Sequence, residues 1–227
     1  ATAARSYEYL PNGQLGKVTA MTTGTSSVVS TFRYDHLGRP VTVTSGSMSF
    51  ELFWDDSSRL IAMNHFTGML APGQVHTVRW SYHWAAGTLI AATRERVMDV
   101  FVNGELTPQS ENPKLFYVIS DERGLPHRLV DSEGVTWWQA TWDASGWRTR
   151  WTLANATIQA QANHMQVPFG LPGQWIVPNT EVYVSGSMGT AAPIALNQWR
   201  AYDAMTGAYL QPDEADRIGR LDPEGYV

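Results

Sequence analysis

The chain has 227 residues, of which 43% are hydrophobic and 16% are charged, and its net charge is −5. This length provides for one or two domains with a substantial core, and the low charge excludes a disordered chain. A net negative chain without a basic patch disfavours nucleic-acid binding, and without an apolar run of about 18 residues no membrane span is predicted. Cysteine is absent, which excludes disulfides, thiolate metal sites and a cysteine nucleophile.

The first elements in the chain are predicted to be β-hairpins. Ten Trp, nine Tyr and seven Phe favour strands. Tyr7 lies in a first strand ahead of the Pro11-Asn12-Gly13 turn, and residues 32–44 form the clearest hairpin. In its turn, Asp35 can accept hydrogen bonds from backbone N–H groups two residues on, and Gly38 can take a positive φ.

The same pattern recurs with variations. Residues 52–63 form a third hairpin, whose turn is expected to be degraded because Ser58 stands in the place of the glycine. A fourth hairpin turns at Gly87, and Asn103-Gly104 predicts a further one. Pro108 and Pro113 predict a surface loop.

Three further turns in the second half have the form Asp-x-x-Gly. They cover residues 121–124, 131–134 and 143–146. Similarity at a period of about 20 residues indicates a repeat architecture, in which each hairpin buries its apolar face only beside its neighbours. The hairpins are therefore expected to add edge to edge into a twisted sheet that curls, with the Asp and Gly turns on one rim.

Two parts of the chain resemble the bacterial RHS/YD-repeat family. Residues 32–40, FRYDHLGRP, resemble its Tyr-x-Tyr-Asp-x-x-Gly-Arg repeat, and residues 117–146 resemble the segment before its C-terminal core. The elements at 168–175 and 197–227 resemble the RHS-associated core itself. The resemblance implies an all-β fold, in which hairpin repeats over 1–165 form a continuous twisted sheet that coils into a shell or partial barrel. Residues 166–227 are expected to form a C-terminal core that folds inward as a plug.

The resemblance also implies a function. Shells of this family enclose a toxic C-terminal polypeptide and keep it away from the producing bacterial cell until delivery. The expected partners are this cargo, further chains or segments that complete the shell, and a secretion apparatus, with a secreted or cell-surface location. No cofactor is expected.

The family core is associated with self-cleavage by an aspartic-protease-like pair, and the resemblance supplies candidates for it. They are Asp203 and Asp213, with Arg200 as the residue that orients one carboxylate. Two carboxylates held close share a proton, so that one activates water while the other protonates the scissile amide. Asp222 begins a second Asp-Pro-x-Gly motif and is an alternative second carboxylate. Whether the chain is an enzyme is left open by these motifs.

A competing hypothesis is an extracellular repeat module that binds carbohydrate or mediates adhesion without catalysis. Rows of tryptophan such as Trp137-Trp138 could stack on sugars, and an open, exposed Trp face would favour this function. Cross-strand packing is the more common role of such residues. No metal site is predicted, because the histidines lack ligand spacing and the turn aspartates have a structural role.

Overall fold

The computed structural model describes residues 4–21, 27–66, 75–103, 105–143, 148–153, 168–170, 174–177, 194–197, 200–203 and 208–211. In these residues all regular secondary structure is β-strand, which confirms the all-β prediction. The first sheet contains β1 (Ala4–Tyr9), β2 (Leu15–Met21), β3 (Ser27–Tyr34), β4 (Pro40–Ser45), β5 (Met48–Trp54), β6 (Leu60–Phe66), β7 (Val75–Ala85), β8 (Thr88–Val102), β9 (Glu105–Ser110), β10 (Lys114–Ser120), β11 (Pro126–Asp131), β12 (Thr136–Trp142) and β13 (Arg148–Leu153). The second contains β14 (Gln174–Ile176), β15 (Ile194–Asn197), β16 (Arg200–Asp203) and β17 (Ala208–Tyr209).

The first sheet follows the chain almost strand by strand. Its 13 strands are antiparallel, and each pairs with the next in sequence except that β8 pairs with β7, β9 and β10. This is the edge-to-edge addition of hairpins that the repeat pattern predicts. The second sheet has four strands in the order β14-β15-β16-β17.

The turn after β3 shows why an aspartate and a glycine recur. Asp35 Oδ1 accepts hydrogen bonds from the backbone N–H groups of Leu37 and Arg39, both at 2.9 Å. Its Oδ2 accepts a hydrogen bond from Arg39 Nε at 2.8 Å. Gly38 has a φ of +82°, in the left-handed region that glycine enters without a Cβ clash. The Asp35 carboxylate therefore satisfies two N–H groups of the turn and also fixes the Arg39 side chain.

The turn after β5 is intact, although the sequence predicted that it would be degraded. Asp55 Oδ1 accepts hydrogen bonds from the N–H groups of Ser57 at 2.9 Å and Arg59 at 2.8 Å. Ser58 takes a φ of +59° where Gly38 has its positive φ. The hydrogen bonds of the aspartate hold a non-glycine residue in the left-handed region, so the turn tolerates the loss of its glycine.

The Asp turns lie on two rims of the sheet, not on one as predicted. Asp35, Asp55 and Asp121 follow β3, β5 and β10, which all run towards the same rim. Asp131 ends β11, which is antiparallel to β10, and its turn therefore lies on the opposite rim. Strand direction alternates along a meander, so only every second connection can share a rim.

Neighbouring hairpins are joined by side chains that reach from one turn to the next. The residue before several turns is aromatic, and its polar atom donates to a backbone carbonyl where the preceding hairpin begins its return strand. These bonds are Tyr34 to Leu15 at 2.8 Å, Trp54 to Pro40 at 2.6 Å, Trp84 to Leu60 at 2.9 Å and Trp142 to Pro126 at 2.9 Å. The Tyr or Trp before the turn thus sets the position of each of these hairpins against the previous one.

The segment around Pro108 is a strand and not the predicted surface loop. Pro108 lies in β9 and pairs with Asp99 of β8. Among the described residues, β9 pairs with β8 alone, so it is an edge strand. An edge strand tolerates proline because one of its sides needs no N–H donor.

The first sheet curves around the second one. Phe50 of β5 packs on Trp175 of β14 with ring centroids 5.8 Å apart, and Tyr82 of β7 packs edge-on to Phe169 at 4.6 Å. The Asp203 side chain of β16 reaches β1. From β1 to β7 a flat sheet would span about 29 Å, whereas the distance from the Phe169 bridge to β16 is only about 14 Å, at roughly 4.8 Å per strand. A concave first sheet is needed for all three contacts.

Candidate functional site

A fully buried charged group between the two sheets is the carboxylate of Asp203, which is 0% exposed. On β16 the burial alternates, so that Ala201 and Asp203 face inward while Arg200 and Tyr202 face the other side. Pairing with β15 fixes this register, because Asp203 lies opposite Ile194, which is also fully buried. An inward-facing strand position thus carries an acidic side chain into the core.

Two residues of β1 hold this carboxylate. Arg5 Nη1 donates a hydrogen bond to Asp203 Oδ1, and the Tyr7 hydroxyl donates one to Oδ2. Arg5 and Tyr7 are two residues apart, so strand alternation places both on the concave face of the first sheet. The side chains of Arg5 and Asp203 are both 0% exposed. A buried ion pair and a hydrogen bond thus join β1 to β16.

The surroundings keep Tyr7 a neutral donor. Burial, followed by the hydrogen bond to the Asp203 carboxylate, raises the pKa of the Tyr7 phenol well above its ordinary value. The nearby Arg5 guanidinium opposes this shift but does not outweigh it. Tyr7 therefore remains protonated, and it donates to Asp203 over the whole physiological pH range.

A second polar contact lies beside the first. Gln211 Oε1 accepts a hydrogen bond from the Ala201 backbone N–H at 2.5 Å, and Leu210 N–H donates to the Ala201 carbonyl at 2.7 Å. Burial raises the pKa of the Tyr34 phenol, and the Gln211 side chain opposes this shift. The segment after β17 is thus tied to β16 and lies near Tyr34 of β3.

The predicted site residues are only partly brought together. The guanidinium beside Asp203 belongs to Arg5, whereas that of Arg200 lies 3.8 Å from the centre of the Tyr209 ring. Arg200 and Asp203 occupy opposite faces of β16. Asp213 and Asp222 lie outside the described residues, so the pairing of Asp203 with either of them remains a prediction.

Sequence reasoning missed Arg5 and Tyr7 as parts of this site. The Tyr7 strand was predicted, and its alternation places Arg5 on the same face as Tyr7. A charged residue on the inward face of a strand needs a buried counter-charge, and this was the available signal. The identity of that counter-charge, 198 positions away, is not encoded in any local pattern.

The described tryptophans do not form an open sugar platform. Trp138 is 1% exposed, Trp80 is 2% and Trp175 is 1%. Trp54 and Trp84 line a cleft of about 50 Å³ with Phe169 and Trp175. That volume is far below the roughly 300 Å³ at which ligand pockets begin.

In the part of the chain that the structure describes, no group of three or more His, Asp or Glu residues is placed to hold a metal ion. The described residues also contain no helix with the length and apolarity to cross a membrane.

No family model matches the chain. Over 120 residues the chain is 28% identical to the putative uncharacterized protein YibJ of Escherichia coli (strain K12). The aligned region covers 47% of this chain and 43% of YibJ.

Solved structures are similar over almost the whole chain. The structure of the Photorhabdus luminescens Tc holotoxin pore with a TccC3 mutation has a TM-score of 0.55 and 14% identity, covering 98% of this chain and 9% of that one. TcdB2-TccC3 without its hypervariable C-terminal region has a TM-score of 0.51 and 17% identity, covering 93% and 9%. At these identities the likeness shows the fold alone, an all-β fold of antiparallel hairpins. The chain spans less than half of YibJ and about a tenth of the structural neighbours.

Proposed function

We propose that this chain forms part of an RHS-type β-shell that encloses a toxic polypeptide attached after the C-terminal core. The observation that carries the proposal is the concave first sheet, whose inner face receives the second sheet through Phe50, Tyr82 and Asp203. A polypeptide that continues from a C-terminal core placed there would start on the concave side of the first sheet. The likeness to toxin-complex structures supports the same function and an extracellular site of action.

Cross-linking from opposite faces of one strand tests which side the cargo contacts. Lys114 and Leu115 are neighbours on β10: Lys114 pairs with the inward-facing Arg94, whereas Leu115 faces outward and is 40% exposed. A photoreactive residue is placed at either position in a chain that carries a reporter polypeptide after Val227. Enclosure predicts cross-links to the reporter from position 114 and few from position 115. Equal yields from both positions, or a higher yield from position 115, would contradict it.

We further propose that the C-terminal core cuts the chain to release the cargo. The observation that favours this activity is the buried carboxylate of Asp203 with a guanidinium beside it. In the proposed reaction one carboxylate accepts a proton from water while the water oxygen bonds to the amide carbon. The other carboxyl group gives its proton to the leaving nitrogen, which yields a free acid and a free amine.

Intact-mass measurement of the reporter-bearing chain tests the cut. Fragments are expected from the unmodified chain and from a chain with Arg33→Gln, which changes an exposed residue of β3. Asp203→Asn is expected to abolish them, and Asp213→Asn and Asp222→Asn decide which second carboxylate takes part. An unmodified chain that stays intact would contradict self-cleavage and leave the enclosure proposal to the cross-linking experiment.

A further inference from the structure

The carboxylate of Asp203 is enclosed by residues that lie at the opposite end of the described chain. Both of its oxygens accept hydrogen bonds, one from Arg5 and the other from Tyr7. A protonated carboxyl group would present its own hydrogen at one of these oxygens, against a donor. The arrangement therefore accommodates the charged carboxylate.

We propose that Arg5 and Tyr7 are positioning residues that complete the C-terminal site, so that the site forms only when β1 is in place. The proposal rests on the proposed self-cleavage and assigns Asp203 the charged, proton-accepting role in it. The proton-donating carboxyl group must then be supplied by another residue, for which Asp213 and Asp222 are the candidates.

The sheet topology explains why the C-terminal site depends on β1. β1 is the first strand of the meander and, among the described strands, pairs with β2 alone. β16 belongs to the second sheet and has no backbone pairing with β1 in the described residues. The two side-chain hydrogen bonds to Asp203 therefore join β1, at the start of the first sheet, to β16 of the second sheet. A C-terminal core that folded before the first sheet had curved would lack the Arg5 guanidinium beside Asp203. The cut would then be delayed until the first sheet had formed and curved.

The contrast with nearby ion pairs supports a positioning role. Lys17 and Glu8 connect β2 to β1, but their side chains are 37% and 63% exposed. Such a pair contributes little, since water and salt screen it. Arg5 and Asp203 are shielded from water, so their mutual position depends on the protein alone.

The decisive experiment compares Arg5→Gln, Arg5→Lys and Tyr7→Phe with the control Lys17→Gln in the reporter-bearing chain. We expect Arg5→Gln and Tyr7→Phe each to slow the cut about ten- to hundredfold, the factor for one hydrogen bond to a charged group. Arg5→Lys keeps a cation and is expected to restore at least part of the rate, which a purely structural defect would not allow. Rates for Arg5→Gln and Tyr7→Phe equal to that of Lys17→Gln would overturn the proposal.

A second measurement decides the positioning role even if no cut occurs in any variant. Hydrogen exchange is followed for residues 194–211 in the unfused chain. Arg5→Gln is expected to speed exchange at 200–203 relative to Lys17→Gln, while exchange in β10 and β11 stays unchanged. Unchanged exchange at 200–203 would show that β1 does not hold the core. An uncut chain that shows the predicted change in exchange would refute the self-cleavage but retain the contact.

Discussion

Among the described aspartates that pair with an arginine, Asp35 and Asp203 differ widely in the sequence distance to their partner. Asp35 holds Arg39 four positions on, at a partly exposed rim turn. Asp203 holds Arg5 across 198 positions, in a place without solvent. The rim pair forms as soon as its own turn forms, because the groups that donate to the Asp35 carboxylate belong to Leu37 and Arg39. The buried pair joins β1 of the first sheet to β16 of the second, so it depends on the curvature that brings β1 to the second sheet.

The largest expected effect comes from breaking the buried pair on one side only. Arg5→Leu leaves a carboxylate without its cation in the core, which should lower the free energy of unfolding by about 3–5 kcal/mol. Asp203→Leu should do the same for the guanidinium. The double variant should lose less than either single one, because no unpaired charge remains. Urea unfolding of the four proteins measures the cycle, and additive losses would show that the two side chains are independent.

A turn aspartate with several charged and polar partners should give an effect of intermediate size, and one that depends on pH. Burial tends to raise the pKa of Asp131, but hydrogen bonds from Lys114, Trp137 and the turn N–H groups lower it to about 2. Because the folded pKa lies below the unfolded value of about 3.9, this stabilisation is present above pH 4 and is lost as the pH falls towards 2. Asp131→Asn should cost about 2 kcal/mol at pH 7 and flatten the pH dependence below pH 5. Stability curves of both proteins that fall in parallel with acid would contradict this.

The smallest effect is expected at the left-handed position of the rim turns. Ser58 and Gly38 occupy equivalent places with φ of +59° and +82°. Ser58→Gly should stabilise the protein by up to about 1 kcal/mol, and Gly38→Ser should destabilise it by about 1–2 kcal/mol, because a side chain is strained there. Thermal unfolding compares the two reciprocal variants. A loss of stability in Ser58→Gly would mean that the serine side chain has a contact that outweighs its strain.

The contrast between the local partners of Asp35 and the distant partner of Asp203 also explains how much of the structure the sequence predicts. Hairpins such as 32–44 were predictable because the turn aspartate, the glycine and the alternating strand all act within a dozen residues. The prediction of a single rim overlooks that successive strands alternate in direction, and it therefore puts Asp131 on the same rim as Asp35. Pro108 was placed in a loop because the edge position that permits it depends on the sheet order.

The buried site was predictable only in part. A resemblance to the RHS-associated core singled out Asp203 and Arg200, but it carried no information on which face of β16 each occupies. Arg5 became part of the site through the curvature of the sheet, which depends on the sum of many strand twists. Such a sum has no local pattern in the sequence, although the inward-facing charge at position 5 required a partner of opposite sign.

The bonds between neighbouring turns have a consequence for how such a protein lengthens. Arg39 donates to the Asp55 carbonyl and Trp54 to the Pro40 carbonyl, so each hairpin recognises only the one beside it. Duplicating one unit of the gene would break a single set of these bonds and create two equivalent ones. These rim bonds therefore accept a copied hairpin without changes to the other turns. The contact of Arg5 with Asp203 is different, because a lengthened sheet must still curve enough for β1 to reach β16.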